Sequence, residues 1–167
     1  MIDHAHLRTL LDYDSISGIF TRKVAVSRRS KIGDIAGGLS RGYVELSVNG
    51  KVYRAHTLAW FYYNKKWPIK NLDHIDLNKS NNAINNLREA SYSENIANSL
   101  IRKTNSCGFK GVTRHKEKFK AAIMVNRKRI HLGIFTLQKE AAEAYDSAAI
   151  HYFGAFALTN KQQGLLL

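Results

Sequence analysis

Along the chain the apolar positions change period several times, and each change marks an element. LRTLLDYDSISGIFTRKV begins as a short helix or turn and enters a strand at Gly18. YVELSVNGKVYRAH alternates apolar and polar residues on both sides of Asn49-Gly50, a dipeptide that strongly favours a hairpin. HTLAWFYYNKKWP takes up helical spacing, with Leu58, Phe61 and Tyr62 facing a core, Lys65 and Lys66 outside, and a stop before Pro68. NLDHIDLNKSNNAINNLR reads as two short strands around a polar turn of Asn78, Lys79, Asn81 and Asn82, packed through Leu72, Ile75, Ile84 and Leu87. SYSEN then opens a helix: Ser91 caps it, Glu94 completes a capping box three residues later, and Asn95 sits in the first turn.

A polar, Gly-flanked run, RKTNSCGFKG, follows and reads as a linker containing Cys107. Beyond it come three short strands, FKGVTRHK, KFKAAIMVN and RKRIHLGIF, and one alanine-rich helix, QKEAAEAYDSAAIHYFG. Ala141, Ala142, Ala144, Tyr145, Ala148, Ala149 and Tyr152 form its apolar face, with Thr136 as N-cap and Gly154 as stop. The fold class is therefore α+β. A β-rich part (1–55), a helix (56–66) and a strand-strand-helix core (70–102) make the first domain, 1–102. A linker (103–107), a three-stranded antiparallel sheet on one helix (108–160) and a tail (161–167) complete the chain.

Composition changes the picture in one respect. With 26 Lys and Arg against 13 Asp and Glu, the 167 residues carry a formal charge of +13, which calls for a polyanionic partner. No apolar run reaches the roughly 18 residues of a spanning helix, and no leader or lipidation signature is present, so nucleic acid is favoured over a membrane. One cysteine excludes an intramolecular disulfide framework and fits a reducing cytoplasm. His4 and His6 in DHAH resemble a metal pair but lie at a free terminus, where disorder is the rule.

The chemistry concentrates between residues 71 and 95. Asp73 offers a hard oxygen to a divalent cation, and His74 a neutral nitrogen able to take a proton from water near pH 7. Consecutive strand residues point to opposite faces, so the two share a site only where the strand twists strongly or ends.

DHIDLNKSNNAINNLR followed by EN resembles the HNH nucleases with a ββα-metal core, in the subgroup found in phage and intron-encoded homing endonucleases. The resemblance implies His74 as general base, Asp73 and Asn95 as metal ligands, and Asn86 as the asparagine bracing the loop between the strands. Arg88 and His56 are candidate phosphate contacts, with packing or a helix-start hydrogen bond an equal reading for His56. The last histidine of the family name is Asn95 here, and the paired cysteines of zinc-binding branches are absent, so no structural zinc is expected. One carboxylate and one amide suit Mg2+, with Mn2+ able to substitute.

GFKGV, KAAI, HLGIF, EAAEAYDSAAIHYFG and ALTN resemble the AP2 DNA-binding domain of the plant ERF type, whose sheet lies in the major groove. The resemblance implies Lys110, Thr113, Arg114, Lys116, Arg129 and His131 as DNA readers, with Lys118, Lys120 and Arg127 as backbone contacts. Thr113, Ile123 and Val125 stand where that family has arginine or glutamate, and His131 where tryptophan is usual, so the plant target sequence does not carry over.

Together these readings give a metal-dependent DNA endonuclease of the phage or mobile-element homing type, acting on double-stranded DNA as a monomer or weak dimer. It needs no small-molecule cofactor and works in the cytoplasm, the host's if phage-encoded. The alternatives are a non-enzymatic DNA-binding regulator and an RNA-directed protein, the latter lacking an RRM-type aromatic signature.

Overall fold

Asp3 accepts the His6 backbone N–H at 3.0 Å and starts α1 (His4–Leu10). DHAH is therefore an ordered helix start, correcting the expectation of disorder. Its two imidazoles turn to different partners: His4 Nε2 lies 2.8 Å from the Tyr62 carbonyl and His6 Nε2 2.9 Å from Asn49 Nδ2. The helix runs straight into β1 (Leu11–Tyr13), which pairs antiparallel with β2 (Phe20–Arg22) and sets Tyr13 opposite Phe20. The strand expected at Gly18 begins two residues later, because Gly18, at φ 74, belongs to the turn.

Three antiparallel strands follow in the order β3 (Gly38–Ser40), β4 (Tyr43–Val48) and β5 (Lys51–Arg54). Asn49 and Gly50 make the β4–β5 turn at φ 50 and 74, the doubly positive pair that a tight hairpin requires. The helix expected over 56–66 is α2 (Ala55–Asn64). It stops early because Lys65 turns left-handed at φ 59 and its N–H returns to the Phe61 carbonyl, so Pro68 has no part in the stop. Leu7, Leu11, Phe20, Leu46, Leu58, Phe61 and Leu87 form the core here, and Trp67 stacks on Phe61 at 4.1 Å. β6 (Asn71–His74) and β7 (Leu87–Ala90) make a separate two-stranded sheet, joined through a 3₁₀ turn at Ile84–Asn86.

The computed structural model describes residues 2–166, and the chain divides into two compact units at Glu89/Ala90. The second unit opens with α3 (Tyr92–Ala97). Its capping box is complete: Ser91 Oγ accepts from Glu94 N at 3.3 Å and Glu94 Oε2 from Ser91 N at 2.7 Å. β8 (Val112–His115), β9 (Lys118–Val125) and β10 (Lys128–Phe135) form an antiparallel sheet with β9 central, and α4 (Gln138–Phe153) covers one face. Val112, Ala121, Ile123, Ala141, Ala142, Tyr145 and Ala149 are buried between them. The N-cap of α4 is Leu137 instead of Thr136, with Glu140 Oε2 accepting the Leu137 N–H at 3.3 Å. Tyr152 is 42% exposed and Phe153 takes its expected place in the core. Cys107, read as linker, is buried against Val112 and Ala121.

Lys110 departs furthest from expectation. Assigned to DNA reading, it is only 9% exposed, and its Nζ donates to the carbonyls of Ala97 (2.6 Å), Ser99 (2.7 Å) and Leu158 (3.2 Å). Its backbone is held on both sides by Asn160, whose amide also donates to buried Asp146 at 2.8 Å. Burial draws the ammonium down to about 8, opposed by Asp146. The three converging carbonyls make Lys110 a structural tie between the end of α3 and the C-terminal segment. Lys110→Met removes the donor that the three carbonyls share and is expected to destabilise the second unit by on the order of 3 kcal/mol in urea unfolding followed by circular dichroism. Unchanged stability would return Lys110 to a surface role.

Candidate active site

β6 ends at His74, which lets two consecutive side chains face inward together: Asp73 is 4% exposed and His74 is also buried. Of the expected packing residues Ile75 departs, being 45% exposed, while Leu87 is buried. A carboxylate this far from water needs compensation, and Arg88 of β7 supplies it, Nε donating to Asp73 Oδ2 at 2.9 Å. Arg88, a candidate phosphate contact, thus has its Nε committed to the carboxylate.

His74 Nε2 lies 3.3 Å from Asn82 Oδ1. Asn82 is itself fixed. Its amide donates to the Ser80 carbonyl at 3.0 Å, its own carbonyl accepts the Tyr13 hydroxyl at 2.7 Å, and Gly18 presses on it from the β1–β2 turn. A methyl group on Gly18 would lie 2.2 Å from Ala83 N and 2.3 Å from the Asn82 carbonyl carbon, so only glycine fits. Sequence reasoning took Asn82 as a turn former and missed it, because nothing in NKSNN separates the buried asparagine from its exposed neighbours. Burial pulls the His74 pKa below the ordinary imidazole value, opposed by Asn82, Asp76 and Asp73, so the ring is neutral at pH 7.

The loop between the strands is wound around Asp76 and Asn86. Asn86 Oδ1 accepts Asp76 N at 3.0 Å, and its amide donates to Asp76 Oδ1 at 2.8 Å and to the Asn81 carbonyl at 2.9 Å. Asn81 donates to the other Asp76 oxygen at 2.7 Å. Burial raises the Asp76 pKa, but the donors from Asn81, Asn86 and Asn78 outweigh it and the net shift is downward. Asn86 therefore braces the loop, and the contacts found for it are all with that loop. Asn95 is half-buried on α3, its N–H on the Ser91 carbonyl at 3.0 Å. Among the described residues no group of three or more His, Cys, Asp or Glu side chains is arranged to hold a metal ion.

His56, in the first turn of α2, packs edge-on against His74 with ring centroids 5.0 Å apart, and Tyr43 lies 5.5 Å from it. It is 7% exposed, and its Nδ1 is buried with no hydrogen-bond partner among the described residues. Burial, then His74 and Arg54, hold it down to about 4.

In the second unit the strand register sorts the basic residues. Thr113 pairs with Lys120, His115 with Lys118, Arg129 with Met124 and His131 with Ala122, so all of these share the face opposite α4. Arg114 pairs with Phe119 on the other face and reaches the Lys116 carbonyl at 3.3 Å and Glu117 at 3.8 Å. Lys116 and Arg127 sit in the turns at φ 53 and 65. Lys110 is absent from this surface, and His115, which sequence reasoning left out, joins it.

The His56 shift has a consequence for stability. The unfolded imidazole titrates near 6.5 and the folded one near 4, so the unfolded chain binds more protons between those values. Stability then falls as pH drops through that window, by up to about 3 kcal/mol from this group, with His74 adding in the same direction. Trp60 and Trp67, the two tryptophans, both lie in the first unit. Urea unfolding followed by their fluorescence is expected to show the loss, and His56→Phe to remove most of it; an equal loss in the variant would assign it elsewhere.

Comparison with known proteins finds two kinds of relative. The family described as HNH endonuclease (HNH_3) matches residues 53–97, from β5 to the end of α3. An uncharacterised HNH endonuclease of Acanthamoeba polyphaga mimivirus is 36% identical over 91 residues, covering 54% of this chain and 46% of the relative. Two AP2-like ethylene-responsive transcription factors of Arabidopsis thaliana are also similar. One is 33% identical over 119 residues, 66% of this chain and 21% of its own length; the other is 46% identical over 56 residues, 31% and 10%. The chain spans about a fifth of the length of the first AP2-like relatives and under half of the viral one. It thus joins a segment similar to HNH endonucleases to a C-terminal region similar to AP2-like proteins.

Proposed function

We propose that the chain is a metal-dependent DNA endonuclease of the phage or mobile-element homing type, with His74 as general base. The observation that carries this reading is the buried His74 beside the compensated carboxylate of Asp73 at the end of one short strand. With Nε2 directed at Asn82 Oδ1, the imidazole keeps its proton there and Nδ1 is the nitrogen that takes a proton from the attacking water. Arg88 orients Asp73, Asn86 holds the loop that follows His74, and the buried ring of His56 keeps water from that side of the base.

Asp73 and Asn95 are the residues that would hold the cation, and a carboxylate with an amide is the hard oxygen set that Mg2+ or Mn2+ accepts. When bound, the ion neutralises phosphate charge and stabilises the leaving 3′ oxygen. Duplex DNA would dock on the β8–β10 face through Thr113, Lys118, Lys120, Arg129 and His131, with Arg114, Lys116 and Arg127 along its rim on the backbone. A non-enzymatic DNA-binding regulator is the second reading, favoured by the AP2-like relatives, which are named as transcription factors.

Conversion of supercoiled plasmid with Mg2+ or Mn2+ separates the two. The proposal expects nicking that EDTA abolishes and that His74→Ala lowers by roughly 10²–10⁴-fold while DNA binding holds. Because burial lowers the His74 pKa, the rate should be level near neutrality and fall only as acid protonates the base below the usual imidazole range. Tight binding without cutting would favour the regulator.

A further inference from the structure

In the first unit a group of cations close to His74 has no part in the assignments above. The Arg54 guanidinium carbon lies 4.3 Å from the centre of the Tyr43 ring, and Lys79 Nζ lies 4.9 Å from the same centre. That ring is 5.5 Å from His56 and 6.3 Å from His74. The three residues come from separate elements: Tyr43 begins β4, Arg54 ends β5, and Lys79 belongs to the loop after β6.

A structural role accounts for this only in part. One cation over one aromatic ring is an ordinary contact. Two cations converging on a single ring repel each other, and a bound anion would offset the repulsion. The anion is not supplied by the chain: among the described residues neither Arg54 nor Lys79 forms an ion pair with a carboxylate. Glu45 is the cross-strand partner of Arg54, yet the guanidinium leans over Tyr43 and makes no ion pair with it. Lys79 is steered as well. Its stem lies over Gly42, where an added methyl group would come within 3.9 Å of Lys79 Cδ. Both cations are exposed, open to a ligand from solvent.

We propose that Tyr43, Arg54 and Lys79 form a phosphate subsite that holds a backbone phosphodiester of the nucleic acid beside His74. The subsite rests on the nuclease reading in taking that reaction's substrate as its ligand. Tyr43 is the platform that fixes the two cations, and the cations hold the phosphate, so all three are binding residues and none transfers a proton.

The test uses the full chain with duplex DNA, first in EDTA for binding against salt and then with Mg2+ for cleavage. Arg54→Gln and Lys79→Gln are each expected to lower the salt slope of log affinity by about 1, and the double variant by about 2. Lys139→Gln, an exposed charge on α4, should leave the slope nearly unchanged. With Mg2+ the double variant should lose about 10-fold or more in kcat/KM, part of it in kcat at saturating DNA, which a loss of general attraction would not produce. Slopes unchanged in both single variants, with wild-type cleavage intact, overturn the subsite alone. Wild type that fails to cut, with slopes that fall as expected, overturns the nuclease reading and upholds the subsite. Tryptophan fluorescence of Trp60 and Trp67 verifies that each variant folds.

Discussion

The first unit's chemistry depends on one constraint: the carboxylate of Asp73 is almost wholly out of water and must keep a cation beside it. Arg88 meets that need only if β7 lies next to β6, and β7 is fixed there because Leu87 at its start is buried with Leu58 and Phe61. The ion pair thus ties the position of a reactive group to the main core. His74 follows Asp73 directly and inherits its placement. The strand stops at His74 and the chain turns away, at Leu77 with φ 66, into a loop whose polar groups are satisfied by Asp76 and Asn86.

Around this pair the electrostatics are uneven in a useful direction. Two imidazoles packed edge to edge cannot both carry charge cheaply, and burial keeps both neutral. Asp73 and Asp76 are the carboxylates closest to His74, and the cations Arg54 and Lys79 over Tyr43 sit where solvent reaches them. Two buried imidazoles beside two exposed cations suit an anionic partner. The overall charge of +13 draws polyanions to the molecule in general, whereas this local arrangement distinguishes one place on it.

What could be read from the residues was whatever depends on near neighbours in the chain. The Asn49-Gly50 turn, the Ser91–Glu94 capping box, the strand within KFKAAIMVN and the stop at Gly154 are all decided within a few residues, and all stand in the structure. The requirement that the strand end near Asp73-His74 was equally local, and β6 meets it. The misses are long-range. Lys110 was assigned to DNA reading by its position in the AP2 resemblance, but three carbonyls distant in sequence converge on it. Asn82 and Ile75 exchange the expected inside and outside, since the pocket buries polar groups with partners and leaves an isoleucine to solvent. Cys107 has the flanks of a linker and the environment of a core residue, which composition over a few positions cannot distinguish.

The short helix α3 shows how the two sequence patterns are physically joined. Six residues are too few to hold a helix in water, so its conformation must come from outside. The Asn126 N–H donates to Ser93 Oγ at 3.1 Å, Lys110 Nζ and the Leu158 N–H both reach the Ala97 carbonyl, and Ala97 packs with Ile123, Tyr145 and Ala149. Every one of these partners belongs to the AP2-like part of the chain. Asn95 is therefore carried on a helix that the core beneath the basic sheet supports. A cut at 103–107, where the sequence suggests a linker, would strip α3 of all these supports. Within the second unit Asn95 and the β8–β10 sheet thus share one support, the packing of Ala97 against Ile123, Tyr145 and Ala149, and a change in that packing reaches both.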